Sequence, residues 1–183
     1  MRRDVLAGML ALVLAGLGAA KARAEVASVQ PGAFLVQIEG AVNATPDQVW
    51  RALGHVERWW SPEHTYSGDA RRLRLDVRAG GCFCERWGQG QSVEHARVVL
   101  VMEHEGVRTI RLNGALGPLQ EMGPSGVLTF TISPDGAGAS VALSYRVSGD
   151  AGLGLDQLAP LVDQVLMEQF ARLLRYAGAG APN

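Results

Sequence analysis

The chain has 183 residues, 48% of them hydrophobic, and its 17 Lys and Arg against 18 Asp and Glu leave a formal net charge of −1. Such a balance, with no basic block, excludes an electrostatic nucleic-acid partner. The length suits one domain with a sizeable core. Two cysteines with scattered histidines match no zinc spacing and form no disulfide framework, so no metal and no cofactor are expected.

Arg2 and Arg3 precede an apolar, Gly- and Ala-rich run from Val5 to Ala20, and Ala22-Arg23-Ala24 offers a small-residue cleavage site. Residues 1–24 therefore read as a signal peptide, with cleavage near Ala24 and a single domain over 25–183. The run is short for a membrane span, so an exported protein is expected, periplasmic or secreted, with no span in the mature chain. The arginine pair admits the twin-arginine route beside the general secretory one.

Phe34, Val36 and Ile38 share one face of a first strand. Thr45-Pro46-Asp47-Gln48 then has the form of a helix start: Thr45 as N-cap, Pro46 at the first helical position, Gln48 completing a capping box. The helix runs through Trp50 and Leu53, and a second short one covers Val56 to Trp60. After a loop to about Asp69 the period becomes two. Leu73, Leu75 and Val77 alternate with Arg72, Arg74, Asp76 and Arg78, predicting a strand with one wet face. Ala79-Gly80-Gly81 turns the chain into a partner strand, Cys82 to Trp87. A hairpin of Val93 to Met102 and Val107 to Leu112 turns at Glu105-Gly106, and a last one joins Val127 to Ile132 with Val141 to Val147. Leu155 to Tyr176 is an amphipathic helix with a wide apolar arc. Its N-cap is Asp156, or else regular helix begins at Pro160, and Gly178 ends it.

Strand, two short helices, antiparallel meander and long helix make an α+β protein. A curved antiparallel sheet wraps the C-terminal helix, and a cavity is expected between them.

Four local sequences carry a resemblance: Thr-Pro-Asp-Gln-Val-Trp at 45–50, Arg58-Trp59-Trp60-Ser61-Pro62, Gly80-Gly81-Cys82-Phe83-Cys84-Glu85, and Val162-Asp163-Gln164-Val165-Leu166. In this order they resemble the START/polyketide-cyclase (SRPBCC) superfamily, which implies the helix-grip fold. The second and third look most like the branch of heat-shock ATPase activator homologues. That branch usually carries a bulky or basic residue where this chain has Cys82 and Cys84. Lipid carriers, hormone receptors, cyclases and co-chaperones share the superfamily, so the resemblance implies fold rather than chemistry.

Strand parity predicts which side chains face the cavity. Phe83 and Trp87 point inward and carry Glu85 with them, making Glu85 the candidate acid/base or polar anchor. Ala96, Val98 and Leu100 take Glu94 and Met102 to the same face, leaving His95 and Arg97 outside. Cys82 and Cys84 point the same way, which does not favour a strain-free bridge, and read as half-buried thiols open to oxidation after export. Of Trp59 and Trp60, one is expected in the core and one at a pocket entrance. Leu116, Leu119 and Met122 have the composition of a lid. On the helix, Leu158, Val162, Val165 and Leu166 are expected to seal the core, while Leu161, Phe170 or Leu173 border the cavity.

No G-x-S-x-G, H-E-x-x-H or Cys/His/Asp order appears. The expected function is therefore to hold a small apolar or amphipathic molecule. A cyclase- or hydrolase-like enzyme using Glu85 and a co-chaperone-like interaction module are the alternatives. A cavity filled by Phe83, Trp87, Met102 and Phe170 would exclude the first.

Overall fold

The structure is a computed structural model that describes residues 23–180. Eight strands form one antiparallel sheet in the order β1-β2-β8-β7-β6-β5-β4-β3. They are β1 (Arg23–Gln30), β2 (Ala33–Val42), β3 (Leu73–Leu75), β4 (Cys82–Trp87), β5 (Gln91–His104), β6 (Val107–Asn113), β7 (Ser125–Asp135) and β8 (Gly138–Ser148). Four α-helices join them: α1 (Pro46–Gly54), α2 (Val56–Trp59), α3 (Leu119–Met122) and α4 (Leu155–Gly178). This is the helix-grip α+β architecture, with the sheet curled around α4.

Alternation builds the concave face. Phe34, Val36 and Ile38 on β2, Leu128, Phe130 and Ile132 on β7, and Val141, Leu143, Tyr145 and Val147 on β8 are all buried. Their neighbours in sequence face outward, the period-two pattern of a sheet with one wet side. The capping box at α1 is formed as expected: Gln48 N–H donates to Thr45 Oγ1 at 3.3 Å, and Thr45 N–H donates to Gln48 Oε1 at 2.8 Å. Glu105 and Gly106 both have positive φ, 51° and 78°, which the tight β5–β6 turn requires.

Several expectations need correction. The first strand is preceded by β1, which pairs antiparallel with β2; its short, polar-rich sequence gave no apolar alternation. The strand expected over Arg71 to Arg78 shrinks to Leu73–Leu75. Asp69 caps a 3-10 turn at Ala70–Arg72, and Arg78 N–H donating to Asp76 O folds the chain away from the ladder. Helix α4 starts one residue before Asp156, with Gly154 (φ 63°) as N-cap and no side-chain cap bond. Pro160 lies inside α4, where it withholds one amide from the helical ladder.

The sulfurs of Cys82 and Cys84 are joined as a disulfide, the oxidised state that the sequence left open although ideal strand geometry does not favour it. Their Cα atoms lie 5.4 Å apart, within the ordinary bridging range, at a point where the β4–β5 register breaks. The bridge sits on the outer face beside the Glu94 carboxylate, which Arg97 pairs.

Helix α4 packs against β1, β2, β8, α1 and α2. Buried Phe170, Leu173, Leu174 and Ala177 show that its C-terminal half fills the sheet's concave side. Two polar ties fix the chain after α2 to the same helix. Ser61 N–H donates to Gln169 Oε1 at 2.7 Å, and Arg172 Nε donates to the Trp59 carbonyl at 2.6 Å. Among the described residues, no helix is long and apolar enough to cross a membrane.

Candidate functional site

A cavity of about 710 Å³ lies between the N-terminal half of α4 and the sheet, within the usual range for a small-molecule site. Leu158, Leu161, Val162, Val165 and Leu166 form its helical wall. Phe83, His95 and Tyr145 form the sheet wall, with Trp60 and residues 63–66 on one side and residues 116–119, Glu121 and Met122 on the other. Leu161 borders the cavity as expected, but Leu158, Val162, Val165 and Leu166, expected to seal the core, border it too. Phe170 and Leu173, each 0% exposed, belong to the core, whereas Val162, Val165 and Leu166 border open volume. The C-terminal half of α4 fills the sheet's concave side, and the N-terminal half borders the cavity.

The tryptophans separate as expected. Trp59 is buried, and its Nε1 donates to the Ala52 carbonyl at 2.9 Å. Trp60 lines the cavity, donates to the His64 carbonyl at 2.8 Å and packs edge-on against Phe83. Leu116, Leu119 and Met122 line the cavity too, the latter two on α3. Leu161, 60% exposed, stands at the mouth. Trp87 lies outside the lining, half-buried and stacked on Tyr66. The four side chains that would exclude a cavity do not fill it: only Phe83 reaches its wall.

Met102 points away from the cavity, 48% exposed, and His95 lies inside the fold, both contrary to strand parity. Two bulges explain both reversals. Phe83 pairs Ala96 while Cys84 pairs Glu94, so His95 is the extra residue, and it turns inward beside Ala96. Val98 pairs Leu112 while Leu100 pairs Arg111, so Val99 is a second extra residue. Beyond it Met102 faces Thr109 on the wet side, and before the first bulge Glu94 is exposed. Bulges re-aim side chains in this way, often beside sites. A run apolar at Val98, Val99, Leu100 and Val101 is the sequence trace of such a shift.

His95 and Glu85 meet below the cavity wall. His95 Nε2 lies 3.2 Å from Glu85 Oε2, which also accepts the Tyr66 N–H at 3.0 Å, and Oε1 accepts the Ser67 N–H at 2.7 Å. Glu85 is 0% exposed and does not line the cavity; His95 does. Burial pushes the Glu85 carboxyl up, but the Ser67 and Tyr66 donors and nearby His95 outweigh it and hold the group below its ordinary value. Burial pushes His95 below its ordinary value, and Glu85 only partly opposes this. The resting pair is therefore a carboxylate beside a neutral imidazole. Elsewhere on the sheet wall, desolvation raises Tyr145 to about 12; its hydroxyl accepts the Leu116 N–H at 2.9 Å and donates to the Gly114 carbonyl at 3.1 Å.

Sequence reasoning also missed Tyr66. Its hydroxyl donates to the Gly117 carbonyl at 3.2 Å, joining the loop that Glu85 anchors to the loop before α3. Its ring lies 5.8 Å from that of His95. A second polar tie crosses the entrance, His64 Nε2 to Glu168 Oε2 at 3.2 Å.

A grooved sheet, a gripping helix and an apolar cavity with a buried carboxylate–imidazole pair define a helix-grip protein with an internal site. No family model matches the chain, and no curated protein matches it in sequence. Solved structures do. A protein from Chromobacterium violaceum, CV1439, is similar at 17% identity and a TM-score of 0.55, covering 81% of this chain and 98% of that one. CalU16 from Micromonospora echinospora gives 18% and 0.53, over 93% and 81%. Ara h 8.0201 gives 14% and 0.54, over 81% and 100%. At such identities the likeness shows the shared helix-grip fold and no chemistry.

Proposed function

We propose that this chain is an exported protein that holds one small apolar or amphipathic molecule between sheet and α4. The open volume of about 710 Å³, bordered chiefly by aliphatic and aromatic side chains, carries this reading. Folded interiors hold few voids larger than a water molecule, so an apolar volume of this size is a candidate ligand site. The Tyr66–Gly117 contact and α3 form an entrance able to admit a ligand by local opening. Export rests on the sequence of residues 1–24; of these, 1–22 lie outside the described residues. Cleavage after Ala24 leaves Glu25–Gln30 of β1 in the sheet.

Val165→Phe tests the binding reading, since it adds volume to the cavity wall and not to the core. Titration with the neutral apolar fluorophore N-phenyl-1-naphthylamine should saturate at one site per wild-type chain and fail in the variant. Equal binding by both would refute an internal site.

The His95–Glu85 contact favours a second reading, a cyclase-like enzyme moving protons. Both Glu85 oxygens are occupied by donors, so the imidazole would be the proton acceptor and Glu85 the group that orients it. The resemblance to heat-shock ATPase activator homologues adds no argument for a co-chaperone-like module: Trp59 is core here and Glu85 anchors a loop.

A further inference from the structure

His95 is fixed from three sides. Its Nε2 meets the Glu85 carboxylate at 3.2 Å, Phe83 lies 4.9 Å away ring to ring, and Tyr66 lies 5.8 Å away. Glu85 accepts from every neighbour it has, so the imidazole proton belongs on Nε2 and the lone pair on Nδ1. Among the described residues nothing bonds Nδ1. It is also absent from the polar atoms sealed away without a partner, which are Asp163 Oδ1, Gln169 Nε2 and Tyr176 Oη. Nδ1 therefore keeps access to the cavity that His95 lines.

The other buried polar group of the wall is committed. The Tyr145 hydroxyl both donates and accepts within the protein. Tyr66 spends its hydroxyl proton on Gly117, and Thr65 spends its own on Pro62. At the mouth stand Glu63 and Glu121, both exposed, with no Lys or Arg in the lining. That arrangement repels an anionic headgroup and offers a neutral ligand one deep acceptor.

Resting on the ligand-holding reading, we propose that His95 Nδ1 is the specificity-determining acceptor. It selects apolar molecules that carry a neutral O–H donor, a phenol, enol or alcohol, on their skeleton. The donor's hydrogen lies between ligand oxygen and Nδ1, and Glu85 stabilises the polarised imidazole from behind. Buried acceptors discriminate strongly because a ligand without the donor leaves them unpaired.

The test uses the full chain with 2-naphthol and 2-methoxynaphthalene, which share a ring system and differ in the donor. Wild type should bind 2-naphthol about tenfold more tightly, the ratio one net hydrogen bond gives. The ether is the more apolar molecule, so transfer from water alone gives the opposite order. His95→Leu places no acceptor at Nδ1; it should bring the ratio to about one by weakening 2-naphthol. A wild-type ratio near one, or a tenfold ratio that survives in His95→Leu, overturns the assignment. Should His95→Leu not fold, histidine 15N spectra of wild type decide: the Nδ1 resonance must move with 2-naphthol and stay with the ether, and equal responses overturn the assignment. Failure of both probes to bind overturns the ligand-holding reading instead.

Discussion

Glu85→Gln exchanges one carboxylate oxygen for an amide NH2 at nearly constant shape. In the folded chain Oε1 accepts Ser67 N–H at 2.7 Å, and Oε2 accepts Tyr66 N–H at 3.0 Å and His95 Nε2–H at 3.2 Å. A glutamine can satisfy one side only. In its better orientation the carbonyl takes the two donors at Oε2, and the NH2 confronts Ser67 N–H, donor against donor. The side chain is 0% exposed, so water cannot repair the clash. A lost bond to a charged acceptor is worth about 1.5–3 kcal/mol and a stranded buried donor about 1–3, while the two surviving bonds lose their charge assistance. The expected loss is about 3–5 kcal/mol, read as a lower urea midpoint at unchanged slope. Amide exchange at Tyr66 and Ser67 should accelerate more than exchange in β7 and β8. A loss under about 1 kcal/mol with those amides still protected would refute the anchoring role.

The same pair sets an acid dependence. Glu85 is held below its ordinary value, so its stabilisation is present above the unfolded carboxyl pKa of about 4.3 and is lost as pH falls through the folded one. His95, also lowered, opposes folding once pH drops from about 6.5 toward its folded value, because the unfolded chain takes up that proton first. Both run the same way, so wild-type stability should fall on acidification from pH 7, measured by urea unfolding, and Glu85→Gln should lose the part of the fall that lies below the unfolded carboxyl pKa of about 4.3. Thr45→Ala removes the N-cap of α1 and should cost about 1 kcal/mol by the same assay. Phe170→Ala empties a 0% exposed site in the core and should cost about 3–5 kcal/mol, while the cavity wall formed by Val162, Val165 and Leu166 stays in place.

Period-two runs such as Phe34 to Ile38 and Val141 to Val147 made the central strands legible, because each strand has one dry face. The capping box at Thr45 and the wide face of α4 were legible for the same local reason. What the sequence hid was register. A bulge adds one residue and inverts every inference beyond it, so the bulge at His95 turned that side chain inward and a second, at Val99, turned Met102 outward. The ends of α4 share its apolar composition, and only the sheet's curvature decides that Val165 borders open space while Phe170 does not. Tyr66 and the loop it anchors were invisible, since their order comes from a carboxylate nineteen residues away in sequence. The disulfide between Cys82 and Cys84 likewise depends on the local break in pairing rather than on ideal strand geometry.

The most direct test of the ligand-holding account is native mass spectrometry of the full-length gene product purified from its own cell envelope. The account predicts a mature chain beginning near Glu25 that carries one small apolar or amphipathic molecule, released on unfolding and absent from Val165→Phe. A wild-type chain that flies bare, and that also fails to take up N-phenyl-1-naphthylamine, would contradict it.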